Sequence, residues 1–96
     1  MGLHIFAKEF NEEYWLSFYK MSQIYFDSLP DSIKTSLDSL GMQEDIKTVL
    51  IYRLKNNAKS WLNTGLPLLD GIKPLNLLDS VEGTNALKEI LLRMPD

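Results

Sequence analysis

The longest regular pattern in the chain runs from Glu44 to Leu62. There Ile46, Val49, Leu50, Leu54, Ala58, Trp61 and Leu62 recur at the three-and-four spacing of one helical face. No segment carries the alternation of a strand, and the remaining apolar residues fall into the same helical spacing. The expected fold is therefore all-α: a compact small helical domain of about five helices. Glu44 and Asp45 open the long helix, and Arg53, Lys55 and Lys59 lie in its C-terminal half, each charge on the side its end of the helix dipole favours.

Upstream, Asn11 followed by Glu12 and Glu13 reads as an N-cap with an acidic first turn. The helix that starts there places Trp15, Phe18, Tyr19, Ser22, Phe26 and Leu29 on one face, and Pro30 stops it. Tyr14, Leu16, Met21, Ile24 and Tyr25 fall off that face, so the helix is apolar over most of its circumference. One small core hardly covers all of it, which makes Tyr14, Trp15, Phe18 and Tyr25 candidates for an oligomer interface. A shorter helix is expected over 31–40, with Ile33, Leu37 and Leu40 inward and Gly41 ending it.

Asn63, Thr64, Gly65 and Pro67 break the helical pattern. From Leu66 to Lys73 a loop with one helical turn is expected, folding Leu66, Leu68 and Leu69 back onto Trp61. Pro74 suits the first position of a short helix through Leu78, because its missing amide proton costs little there. Asp79 or Ser80 caps a last helix whose core stripe is Leu87, Ile90, Leu91 and Met94, with Asn85, Lys88, Glu89 and Arg93 facing elsewhere, and Pro95 ends it.

Composition excludes several classes of function. The chain has no cysteine, so thiol catalysis, disulfides and cysteine-zinc sites are out. Its single histidine, His4, has no second histidine to complete a metal pair, and no cofactor or metal is expected. The pairs Glu12-Glu13 and Glu44-Asp45 are adjacent and so diverge on a helix, unlike a converging acid and base. Neither a phosphate-binding glycine loop nor a Ser-His arrangement is present, and the chain does not read as an enzyme. A net charge of -3 weighs against nonspecific attraction to nucleic acid. The start carries neither a secretion signal nor a myristoylation motif, and no apolar run reaches membrane-spanning length; a cytoplasmic protein is expected.

Between Ala58 and Leu91 the order of residues is more specific than any one of them. Trp61-Leu62, then Leu69-x-Gly71 and Pro74, then Leu77-Leu78 and Gly83 resemble the C-terminal toxin-binding domain of the Xre/MbcA/ParS antitoxin family. In this resemblance the Trp, Leu, Pro and Gly residues form the structural frame. It implies that residues 58–96 bind a toxin of the RES type, an enzyme that consumes NAD or transfers ADP-ribose from it, and inhibit it by blocking its active site. The implied contacts are Asp70, Gly71, Ile72, Lys73 and Asn76, with Glu82, Asn85 and Lys88 beside them and the end of the chain from Arg93 to Asp96 reaching toward the cleft. The family often places a basic residue directly after the loop glycine; here Ile72 stands there and Lys73 follows.

Residues 1–57 are then an aromatic-rich helical region for dimerisation, or a reduced DNA-binding part, folded together with 58–96 as one domain. Family members commonly carry a helix-turn-helix domain upstream. Ile33 to Arg53 imitates one around Gly41, although Glu44 and Asp45 place negative charge at the end that usually meets DNA. An autoregulator of its own operon and an orphan protein-interaction module remain the alternative readings.

Overall fold

A computed structural model describes residues 3–94, with the side chains of residues 3–5 and of Leu68 outside the description. Pro95 and Asp96 lie outside the described residues, as does the Leu68 side chain that was expected against Trp61. Among the described residues there are six α-helices and no strand: α1 (Leu3–Glu9), α2 (Glu12–Asp27), α3 (Asp31–Lys34), α4 (Glu44–Leu54), α5 (Ala58–Leu62) and α6 (Val81–Arg93). Four 3-10 turns, Asp38–Leu40, Lys55–Asn57, Pro67–Leu69 and Pro74–Asp79, link them.

The cap signals are realised in the backbone. The Asn11 side chain accepts from the Glu13 and Tyr14 amides at 2.9 and 3.2 Å, starting α2. At α6 it is Ser80, rather than Asp79, whose hydroxyl accepts from the Gly83 amide, at 2.9 Å. Gly41 closes the turn before α4 in the left-handed region, at φ 64°.

α4 is the centre of the packing. Ile46, Thr48, Val49, Leu50 and Ile51 are all buried, so the buried surface of this helix is wider than one stripe. α2 lies on it through Trp15, Ser22 and Phe26, and Leu37, Leu62, Leu87 and Leu91 complete a core in which each of these leucines is fully buried. Ser22 fits there because its hydroxyl donates to the Phe18 carbonyl at 2.8 Å, within its own helix.

Four sequence expectations give way. First, the stripe from Glu44 to Leu62 is not one helix. It breaks at Lys55, which sits at φ 50°, and the 3-10 turn Lys55–Asn57 resets the direction before α5. Lys55-Asn56-Asn57 offers little to hold a helix together, since asparagine side chains compete for backbone hydrogen bonds. Second, the expected helix over 31–40 is divided into α3 and a 3-10 turn, and only Leu37 of its three inward residues is fully buried.

Third, α1 precedes the first expected helix. Seven residues are too few to hold a helix alone; α1 exists because Phe6, 3 % exposed, packs against α6. Fourth, Lys88 and Glu89 do not face solvent. The Lys88 ammonium lies 3.5 Å from Asp45 Oδ2 and over the rings of Phe10 and Trp15, while its stem packs in the interior. Glu89 receives a 2.6 Å contact from Arg93 Nε.

Asp45 thus has a role beyond opening α4. Its Oδ2 accepts from Trp15 Nε1 at 2.8 Å, so one carboxylate joins α2, α4 and α6 through Trp15 and Lys88. A second ion pair pins the preceding turn: Lys47 reaches Asp38 at 3.0 Å and Glu44 at 3.2 Å. The hydrogen bond to Asp38 is the main cause that raises the Lys47 pKa above its ordinary value. Among the described residues no buried side-chain polar atom lacks a partner.

Candidate functional site

The segment between α5 and α6 has a buried underside and an exposed rim. Leu69 and Leu77, 2 % and 3 % exposed, anchor it to the core, and Pro74, at the first position of its 3-10 turn, is also buried. Above them Asp70, Gly71, Ile72, Lys73 and Asn76 are exposed. The first part of the segment closes on itself. The Gly71 amide donates to the Leu66 carbonyl at 2.8 Å, the Leu66 amide to the Ile72 carbonyl at 3.2 Å, and the Ile72 amide to the Leu69 carbonyl at 3.1 Å.

Two glycines make this closure sterically feasible. A Cβ on Gly65 would lie 2.3 Å from the Gly71 carbonyl oxygen, while Gly71 itself stands in open space but at φ 85°. Asp70 is left-handed too, at φ 56°, a conformation that aspartate tolerates better than most residues. The rim from Asp70 to Lys73 is therefore a preformed turn. It presents an acidic residue, an apolar side chain that is 43 % exposed and a lysine in succession.

The turn Pro74–Asp79 meets α6 where a Cβ on Gly83 would come within 2.1 Å of the Leu77 carbonyl oxygen. This contact brings Asn76, next to Leu77, to the start of α6, where Glu82 is exposed and Asn85 half-buried. Glu82 and Asn85 also line a recess of about 480 Å³ with Val81, Ala7 and Lys8. Val81, 79 % exposed, was missed by sequence reasoning. The available signal was its place directly after the Ser80 cap, where the helix stripe has not yet turned toward the core.

Of the other implied contacts, Lys88 and Arg93 do not join this surface, and Asp96 lies outside the described residues. Arg93 lies about 16 Å along the helix from Glu82 at 1.5 Å per residue. It lines a separate apolar groove of about 480 Å³ with Phe6, Trp61, Leu66 and Met94, and its guanidinium sits over the Phe6 ring, 5.4 Å from the centroid. Lys88 is enclosed, 8 % exposed, and available to α2 and α4 rather than to a partner. Trp15, expected on an oligomer surface, is likewise fully buried. Trp61 is half-buried in the groove and Leu62 fully buried, while Leu78 is half-buried.

Among the described residues no cluster of three or more His, Asp or Glu could hold a metal ion, and no helix is long and apolar enough to cross a membrane. The turn and the start of α6 together present mixed polar and apolar side chains at the surface. Residues 50–95 match the family model of the Antitoxin Xre/MbcA/ParS C-terminal toxin-binding domain. The match begins inside α4, upstream of the Ala58 lead-in, and takes in α5, the turn and all of α6. That family is a toxin-binding, non-enzymatic one, and the match implies a cognate toxin as partner. No curated protein and no solved structure matches the chain.

Proposed function

We propose that this protein is an antitoxin that binds a RES-type, NAD-consuming toxin in the cytoplasm and covers its active site. The observation that carries the reading is the turn from Asp70 to Lys73, which lies within the matched domain and is held from below by Leu69, Pro74 and Leu77. Steric inhibition requires no reactive group. It requires a surface whose shape is set before binding, because ordering a loose loop on contact would cost part of the affinity. In this reading Ile72 is the apolar anchor, Asp70 and Lys73 give orientation through charge, and Asn76, Glu82 and Asn85 extend the contact. Arg93 reaches a different part of the toxin.

We take residues 1–57 and 58–96 as one folding unit, a reading supported by α1 covering α6 and by α2 and α4 both touching α6. The autoregulator alternative has less support. α4, the second helix of the segment that imitates a helix-turn-helix, commits Ile46, Thr48, Val49, Leu50 and Ile51 to the core, and its exposed N-terminal Glu44 is acidic.

Lys73 and Asn76 are exposed, so replacing both with alanine is expected to leave stability within about 0.5 kcal/mol of the parent. The same change is expected to weaken toxin binding about tenfold or more, as loss of interface residues near an anchor does. Calorimetric titration of the purified toxin with the parent and the double variant measures this. Equal affinities would move the contact away from the turn.

A further inference from the structure

We infer that Lys55 is the hinge of an exchange between two copies of the chain, in which residues 44–62 straighten into one helix and the part from Ala58 onward packs on residues 3–54 of the second copy. Such an exchange is independent of toxin binding and is measured on the chain alone.

Lys55 stands at φ 50° and ψ −126°. Asp70, at ψ 34°, lies in the small left-handed well at ψ of about +30 to +60°; Lys55 lies far outside it, where only glycine is unstrained. On either side Leu54, Asn57 and Ala58 stand in the right-handed helical region. Rotation about the Lys55 dihedrals is thus the main change between the bent segment and a continuous helix. The sequence weakens a helix here without forbidding one. Residues 44–62 contain neither glycine nor proline. At about 100° per residue, Leu50, Leu54, Ala58 and Trp61 would share an arc of roughly 80° on an unbroken helix. What holds the bend is local: the Lys55 ammonium donates to the Tyr52 carbonyl and lies over the Tyr52 ring, 4.7 Å from its centroid.

Opening the turn frees surfaces that a second open copy can cover again. α6 packs on α1, the Lys88 ammonium lies 3.5 Å from Asp45 Oδ2, and the Arg53 Nε–H donates to the Leu91 carbonyl at 3.1 Å; each contact joins residues 3–54 to residues 81–94. Ala58, Leu62, Leu87 and Leu91 are fully buried and would be bare in an open monomer. The complement of all these surfaces is carried by the chain itself, so an exchanged pair rebuilds the same core twice. α2 stays with α4 in both forms, held by Tyr52 against Phe18 and Tyr25 with ring centroids 5.7 and 5.4 Å apart. The hinge therefore sets the balance. Exchange relieves the strain at Lys55 in both copies and adds helical hydrogen bonds, against the entropy of association; short strained connections favour exchange for this reason.

Refolding from urea at a chain concentration of about 1 mM, comparable to the effective concentration of linked parts within one chain, followed by sedimentation equilibrium, tests the proposal. The parent is expected to give a dimer of twice its 11.1 kDa mass, and a monomer when refolded at high dilution. Lys55→Gly relieves the strain inside the bend and disfavours the unbroken helix, so its dimer dissociation constant is expected to rise at least about tenfold. Lys55→Ala keeps the strain, loses the ammonium contact and favours the helix, so its dimer is expected to be about tenfold tighter than the parent's. Both variants should keep the far-ultraviolet circular dichroism of the parent as monomers. Lys8→Cys with Asn85→Cys reads the exchange directly, because both positions line one recess between α1 and α6 in a chain with no cysteine of its own. A short bismaleimide is expected to join two chains in the dimer and to close within one chain in the monomer. Parent and Lys55→Ala chains that both stay monomeric after concentrated refolding would overturn the proposal. So would a dimer whose link closes within each chain, or a Lys55→Gly dimer as tight as that of Lys55→Ala.

Discussion

Trp15→Ala is expected to destabilise the protein by about 4 kcal/mol, measured by urea unfolding at fixed protein concentration. Trp15 is fully buried and among the largest enclosed side chains, so alanine leaves a cavity between α2 and α4. It also removes the indole N–H from Asp45, which then keeps only Lys88 and its local backbone contact. Trp15→Phe separates the two causes. It retains most of the ring packing and loses the hydrogen bond to a charged acceptor, for an expected loss of about 2 kcal/mol. A loss below about 1 kcal/mol for Trp15→Ala would mean that the junction of α2, α4 and α6 is not held in the way described.

Gly83→Ala is expected to cost about 3 kcal/mol, although alanine is the better helix former and an exposed site would gain about 1 kcal/mol from the change. The new Cβ would lie 2.1 Å from the Leu77 carbonyl oxygen and 2.9 Å from the Ser80 hydroxyl that caps α6. The first of these atoms belongs to the backbone, so the turn Pro74–Asp79 must move off the helix. Urea unfolding reads the stability. Toxin affinity should fall as well, since the same displacement separates Asn76 from Glu82 and Asn85. A variant as stable as the parent would show that the turn and helix do not approach so closely.

The pattern of caps and breakers made much of the fold legible. Asn11, Pro30, Gly41, Pro74 and the choice of Asp79 or Ser80 each act through a few neighbouring atoms, and local chemistry is what a sequence states directly. The failures have a common cause in long-range packing. α1 carries no local signal, and forms because Phe6 has a place on α6. Lys88 reads as a surface residue until Asp45, 43 positions away, and the rings of Phe10 and Trp15 supply its surroundings. Trp15 and Trp61 show the same limit from the other side. Spacing alone gives both to a helical face, whereas the fold encloses the first and leaves the second half-open in a groove.

For the candidate site, the ordered residues from Trp61 to Gly83 carried the family, and the structure arranges their surroundings into an underside and a rim. Gly65 escaped notice as more than a helix breaker because its reason for being glycine is the Gly71 carbonyl, six residues later. The apolar surplus of α2 was visible as an excess of aromatic residues. Its boundary was not, since only the fold decides that Trp15 belongs inside and Ile24 outside.

On the proposed reading, this chain inhibits a toxin by binding it. The direct measurement is NAD consumption by a purified RES-type toxin, titrated with the folded chain. The expected result is a linear fall to the background rate that ends near a fixed molar ratio, with both proteins recovered together in one complex. A toxin that keeps its full rate of NAD consumption in the presence of excess folded chain, and elutes apart from it, would contradict the account.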